Sequence, residues 1–387
     1  MLYESGMTRR IDPFHAIAIS RRAHELKQQG RSVIHMEFGQ PSTGAPAAAI
    51  ARAHQVLDSD PMGYWENEAL KHRIARYYAE RHRARVSPER IFLTCGASPA
   101  LVLALTGLFA PGARIAFARP GYVAYRNVTR GLHMEPVEIA CGPDTRFQLS
   151  AHALAALDPA PDGVILSSPA NPTGSIIAPE ELHAIAGICR DRGIRIISDE
   201  IYHGLSYVGP LPSALEFDAE AVIVNSFSKY YSMAGWRLGW LVVPDDLVST
   251  TRALMGNLFL TPPSLAQHAG LVAFDCAQEL EGHIATYRRN RHLLLDALPR
   301  LGLGRIAPPD GAFYIYADVR HLTDDSLSFC AALLEDTGVA TAPGIDFDPV
   351  DGRGFTRISF AVSTAEVEDA LARMTPWFAA RMNRAAD

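Results

Sequence analysis

Short apolar runs bounded by turn residues recur through the first two thirds of the chain. They are "RIFLTC" (Arg90–Cys95), "RIAFA" (Arg114–Ala118), "GVILSS" (Gly163–Ser168), "IRIIS" (Ile194–Ser198), "AVIVNS" (Ala221–Ser226) and "LGWLVV" (Leu238–Val243). Continuous rather than alternating apolar positions mark strands buried on both faces, the pattern of a mainly parallel sheet. Amphipathic segments lie between them. "PEELHAIAGICRDRG" (Pro179–Gly193) opens on Pro and acids and closes on Arg and Gly, which are start and stop signals for a crossover helix. The centre of the chain therefore reads as an α/β sandwich.

Beyond about Cys276 the pattern changes. A long helical stretch runs to roughly Arg300, then come "GAFYIYADV", a helix near Ser326–Thr337, "FTRISFAV" and a last helix from Thr364. This mixture predicts a second, smaller α+β domain. The expected division is residues 1–40 as a segment packing with the small domain, through one helix over Pro13–Gln29, 41–280 as the large domain and 281–387 as the small one.

Composition narrows the class of partner. With 387 residues, 48% of them hydrophobic, the chain can bury two cores. Lys+Arg 36 against Asp+Glu 42 gives a net charge of −6 without blocks of like charge, which points to a small-molecule partner and away from nucleic acid or a membrane surface. The N-terminal "MLYESGMTRRIDPF" lacks an apolar core of a signal sequence, and no apolar stretch approaches membrane-spanning length. Five widely spaced cysteines read as reduced thiols, which suits the cytoplasm, and the absence of CxxC or HExxH pairs argues against a metal site.

In open parallel sheets ligands bind beyond the carboxyl ends of the strands. After "RIFLTC" comes Gly96-Ala97-Ser98-Pro99, a helix start able to present free N–H groups to an anion, although an ordinary helix cap reads the same way. After "GVILSS" comes "PANPTG" with Asn171, by itself a turn. After "IRIIS" come Asp199 and Tyr202; an acid there is either partly desolvated and in need of a partner or a simple N-cap. After "AVIVNS" come Ser228 and Lys229, then Arg237. A lysine near an interior forms Schiff bases readily, while a guanidinium fork suits phosphate. Ser232, Ala234 and Gly235 between the two cations are small enough for a sharp chain reversal. Together these groups fit a phosphorylated aldehyde cofactor whose ring nitrogen takes a carboxylate partner.

In this order the residues resemble the class I/II aminotransferases, fold type I enzymes dependent on pyridoxal 5'-phosphate. The similarity runs from "FGQP" (Phe38–Pro41) to "FTRISFAV" (Phe355–Val362), with "SFSKYYSMAGWRLGW" matching the lysine signature and "NPTG" and "DEIY" in the expected places. The resemblance implies a mainly parallel sheet of the seven-stranded type sandwiched by helices, plus the smaller α+β domain. It makes Lys229 the lysine bound to the cofactor aldehyde and the base that moves the substrate proton. Asp199 would hold the ring nitrogen protonated, and Asn171 and Tyr202 would hydrogen-bond the phenolic oxygen. Ala97, Ser98, Ser226 and Arg237 would form the phosphate cup, and Tyr122 would stack on the ring. Ala97 stands where a donor side chain is common, leaving Ser98 and backbone N–H groups to serve. Arg357 would grip the substrate α-carboxylate with Gly39 closing over it. Tyr64, in "GYWENEALKHRIA", would reach the phosphate of a neighbouring subunit, implying a homodimer with shared sites, and the segment that follows it is shorter than usual.

The implied activity is transfer of an amino group between an amino acid and a 2-oxo acid by ping-pong kinetics. β-Lyases and decarboxylases keep the same cofactor set, and non-catalytic sensors use the same fold. No second arginine is assignable to a side-chain carboxylate, Arg9, Arg10 and Arg126 being candidates without a pattern to support them. "NLFLTPPS" (Asn257–Ser264) reads as an apolar pocket wall, which favours a neutral or aromatic substrate.

Overall fold

Six of the seven strands in the central sheet are the apolar runs, and the computed structural model, which describes residues 11–386, shows why they are continuous. From one edge to the other the order is Ile91–Thr94, Gly239–Val242, Val222–Ser226, Arg195–Asp199, Gly163–Ser167, Arg114–Arg119 and Glu135–Ala140. Only Gly239–Val242 runs antiparallel to its neighbours; all other pairings are parallel. Alternate side chains enter two different cores. Leu93, Ala116, Val164, Ile196, Ile223 and Trp240 pack on one face. Phe92, Ile115, Ile165, Ile197, Val224 and Leu241 pack on the other. With both faces covered, no position along a central strand faces solvent, which is the origin of the mostly apolar runs.

The seventh strand, Glu135–Ala140, escapes the sequence pattern for a physical reason. It lies at the sheet edge, holds Pro136, and only Ile139 in it is buried. An edge strand tolerates proline and need not be apolar.

A second core gathers on a small antiparallel sheet, in which Phe355–Ser359 pairs with Tyr314–Asp318 on one side and Ala342–Pro343 on the other. Helices Ser326–Thr337 and Thr364–Ala386 cover it. The first helix spans His15–Gln28 and sends Ile19, Ala23 and Leu26 into this core, while Ile34–His35 pairs with Val339–Ala340. Helix Ala277–Ala297 serves both cores: Leu280 packs in the large one, Ile284, Tyr287 and Leu294 in the small one.

Candidate active site

The carboxyl ends of five strands meet the small sheet around a cavity of about 380 Å³. Its wall includes Gly39, Ala97, Ser98, Tyr122, Asn171, Asp199, Tyr202, Lys229, Arg237 and Arg357, so the turns that follow the strands converge as their positions required. Two expected members stand elsewhere. Ser226 is set behind the wall: its hydroxyl donates to the Leu238 carbonyl at 2.9 Å and lies 2.8 Å from Ser228 Oγ, and it is Ser228 that reaches the cavity. Tyr64 is outside it and 83% exposed.

Asp199 ends its strand with its carboxylate buried. Oδ2 accepts from the Tyr125 hydroxyl at 2.6 Å and Oδ1 from the Ile201 N–H at 3.1 Å. Burial pushes its carboxyl up to about 6, and these two donors limit the rise. Of the two sequence readings the desolvated acid holds: no helix follows Asp199 for it to cap, and its bond to Ile201 closes a turn. Across the cavity Lys229 Nζ donates to the Gly39 carbonyl. Burial, reinforced by the nearby Arg357 and Arg237 cations, pulls the ammonium down to about 8, against the opposing pull of Asp199. A lysine poised near neutrality, facing a buried carboxylate, is equipped for both nucleophilic attack and proton transfer.

At the other end, helix Ala97–Leu108 begins on the cavity wall and aims its first N–H groups into it. Gly96, the residue before it, has φ +95°, and a Cβ there would lie 2.6 Å from Arg237 Nη2. Glycine is thus required for the guanidinium to lie over the helix start. Arg237 itself holds φ +55° and Ser232 φ +54°. The chain reversal between the two cations is made by these left-handed residues and not by the freedom of Gly235.

Arg357 enters from the small sheet and is 1% exposed. One Nη donates to Asn171 Oδ1 at 2.8 Å and the other to the Glu37 carbonyl, while Nε has no hydrogen-bond partner among the described residues. Its guanidinium lies between the rings of Tyr314 and Phe347, 4.5 and 4.6 Å from their centroids. The flat fork is therefore held in one plane before any ligand arrives.

Tyr125 and Tyr314 were not found from sequence. Tyr125 lies one turn from Tyr122 within "PGYVAY" and shares its side of the helix, a signal available but unused. Tyr314 sits in an apolar strand with nothing local to mark it. Of the arginines considered for a second carboxylate, Arg126 is already committed, with Asp12 and Glu138 each 2.9 Å away, and it does not line the cavity. Arg9 and Arg10 lie outside the described residues. The segment Asn257–Ser264 is no wall of this cavity, and its Leu258 and Leu260 are exposed. Among the described residues no helix is long and apolar enough to cross a membrane, and no group of His, Cys, Asp or Glu is placed to hold a metal ion.

A lysine opposite a buried acid, at the strand ends of this sheet, is an arrangement suited to amino-group chemistry. Residues 31–374 match the model of the family "Aminotransferase class I and II". The chain belongs to that family and is an aminotransferase, with amino acids and oxo acids as its substrates and a fold that uses pyridoxal 5'-phosphate. It is 47% identical to a valine–pyruvate aminotransferase of Mycobacterium tuberculosis over 95% of this chain and 96% of that one. A crystal structure of an aminotransferase from the same organism superposes with a TM-score of 0.93 at 46% identity, covering 96% of this chain and 97% of that one. The aspartate aminotransferase of Thermus thermophilus with maleate follows at 0.89 and 28% identity, covering 95% and 97%.

Proposed function

We propose that this chain binds pyridoxal 5'-phosphate at Lys229 and moves amino groups between a neutral, aliphatic amino acid and a 2-oxo acid in two half-reactions. The observation that carries the reading is Lys229 with its lowered affinity for protons facing the buried Asp199 in one cavity. The residues fit the cofactor. Gly96 leaves room for Arg237 over a helix start suited to phosphate, and Asp199 offers a carboxylate to a ring nitrogen. When bound, the cofactor supplies an aldehyde to capture the amino group and an electron-poor ring to take up the pair left at Cα.

The chain's own groups do the rest. Ala97, Ser98, Ser228 and Arg237 hold the phosphate, with Ser226 orienting Ser228; Tyr122 covers the ring; Asp199 keeps a proton at the ring nitrogen. Asn171 and Tyr202 direct hydrogen bonds to the phenolic oxygen. Arg357 takes the α-carboxylate in its fork, closed over by Gly39. Lys229 would hold the cofactor's aldehyde carbon and, once freed, serve as the base for the substrate Cα proton.

A neutral substrate is supported by the wall. Among the described residues its cations are Lys229, Arg237 and Arg357, each with a role already, beside the apolar Phe14, Phe38 and Val128. The valine–pyruvate activity of the mycobacterial relative agrees with this. The exposure of Tyr64 supports a homodimer in which it serves the partner's site, and five unpaired cysteines support a reducing, cytoplasmic setting.

The test is a screen of the purified, cofactor-loaded protein in which each amino acid is added singly and the visible absorbance followed. Valine and its neighbours should bleach the band stoichiometrically, and pyruvate restore it. Steady-state lines with both substrates varied should be parallel. Intersecting lines, or release of ammonia without restoration by an oxo acid, would refute the reading.

A further inference from the structure

Tyr314 joins three parts of the site that the mechanism treats separately. It is fully buried on the strand Tyr314–Asp318. Its hydroxyl lies 2.7 Å from that of Tyr202. Its ring is one face of the sandwich around Arg357. A Cβ on Gly39 would fall 1.9 Å from its hydroxyl oxygen, so Gly39 is the residue that lets the hydroxyl stand there.

The direction of the bond between the two tyrosines follows from counting protons. Each phenol has one proton to give. Among the described residues the only hydrogen-bond partner of either hydroxyl is the other. Both tyrosines border the cavity, and once Tyr202 gives its proton to the bound cofactor's phenolic oxygen only Tyr314 can donate between them; the reverse bond would leave the Tyr314 proton without an acceptor among the described residues. Orphaning a buried donor is the costlier arrangement. With Tyr314 donating, it is satisfied, and the proton of Tyr202 is released towards the cavity.

We propose that Tyr314 is a positioning residue: it donates to Tyr202, which fixes the Tyr202 proton on the cofactor's phenolic oxygen, and its ring separately holds the plane of Arg357. This rests on the cofactor reading above. Two hydrogen bonds in a row polarise one another, so loss of the first weakens the second. The ring and the hydroxyl have distinct tasks, and two substitutions separate them.

The experiment uses the cofactor-loaded protein and titrates its visible absorbance with pH. A weaker donor at the phenolic oxygen favours the protonated chromophore, so Tyr314→Phe should raise the midpoint by about half a unit to one unit, the scale of one hydrogen bond. Tyr202→Phe should raise it at least as far. Adding Tyr314→Phe to Tyr202→Phe should move it no further. Because Phe keeps the ring, KM for the amino acid should change less than about twofold, whereas Tyr314→Leu should raise it about tenfold through loss of the guanidinium stack. A Tyr314→Phe titration that coincides with wild type, or a shift that persists in full without the Tyr202 hydroxyl, overturns the proposal while leaving the cofactor reading intact. Absence of any visible band in the wild type would overturn both.

Discussion

The side-chain oxygen of Asn171 accepts a hydrogen bond from Arg357 at 2.8 Å, tying a turn of the large sheet to a strand of the small one. The fork is thereby oriented by the very residue expected to touch the cofactor. Substrate carboxylate and cofactor are then read by one connected pair.

Arg357→Lys keeps the charge and loses the planar fork. Replacing bidentate recognition by a single contact should lower kcat/KM by about 100-fold, most of it in KM. Steady-state kinetics with valine as donor measure this. A Lys variant with near-wild-type KM would show that the carboxylate is gripped elsewhere.

Lys229→Ala should remain folded and still take up pyridoxal 5'-phosphate, since the groups around the helix start are untouched. Borohydride treatment should no longer fix the cofactor to the chain, as read by intact mass, and transamination should be absent. Turnover retained in this variant would remove Lys229 from its assigned role.

The same lysine has a signature in stability. In the chain free of cofactor its affinity for protons is depressed from the ordinary 10.5 to about 8, chiefly by burial. A depressed value contributes stability above the unfolded pKa, and that contribution is lost as pH falls through the folded one. At pH 7 the half-buried charge therefore weighs against the fold by up to about 3 kcal/mol. Lys229→Met should melt a few degrees higher than wild type at pH 7, with the difference vanishing as pH approaches 10.5. A difference independent of pH would contradict the depressed value.

Gly39→Ala places a methyl 1.9 Å from the Tyr314 hydroxyl oxygen, against a side chain with no room to retreat. The overlap should cost about 1–3 kcal/mol of stability and raise KM for the amino donor, because the segment 38–40 must lift away from Arg357. Thermal unfolding and kinetics on one preparation check both. A fully active, equally stable variant would show that this contact is relieved at no cost.

Much of the fold was legible because burial on both faces writes itself into composition: Val222–Ser226 and its neighbours have no solvent side on which to place a polar residue. Glu135–Ala140 was illegible because an edge strand is free of that requirement. At the site the same contrast holds. Asp199, Lys229 and Arg237 are polar residues at the ends of apolar runs and stand out against them. Tyr125 and Tyr314 are aromatic residues among aromatic residues, and their importance lies in contacts 74 and 112 positions away in the chain. Ser226 and Ser228 alternate in sequence, and only the turn geometry decides which faces inward. The exposed Leu258 and Leu260 misled because an apolar loop reads the same whether it faces a pocket or solvent.

Helix Ala277–Ala297 carries the chain from the large core at Leu280 to the small core at Ile284, about one helical turn apart. The joint is thus a rod with its backbone bonded internally, without the slack of a loop. A tilt of the small sheet, and with it of Arg357 and Tyr314, would have to bend this helix or repack its Leu280 or Ile284 end. Arg357 and Tyr314 thus reach the cavity from a sheet that is joined to the large core through a continuous helix.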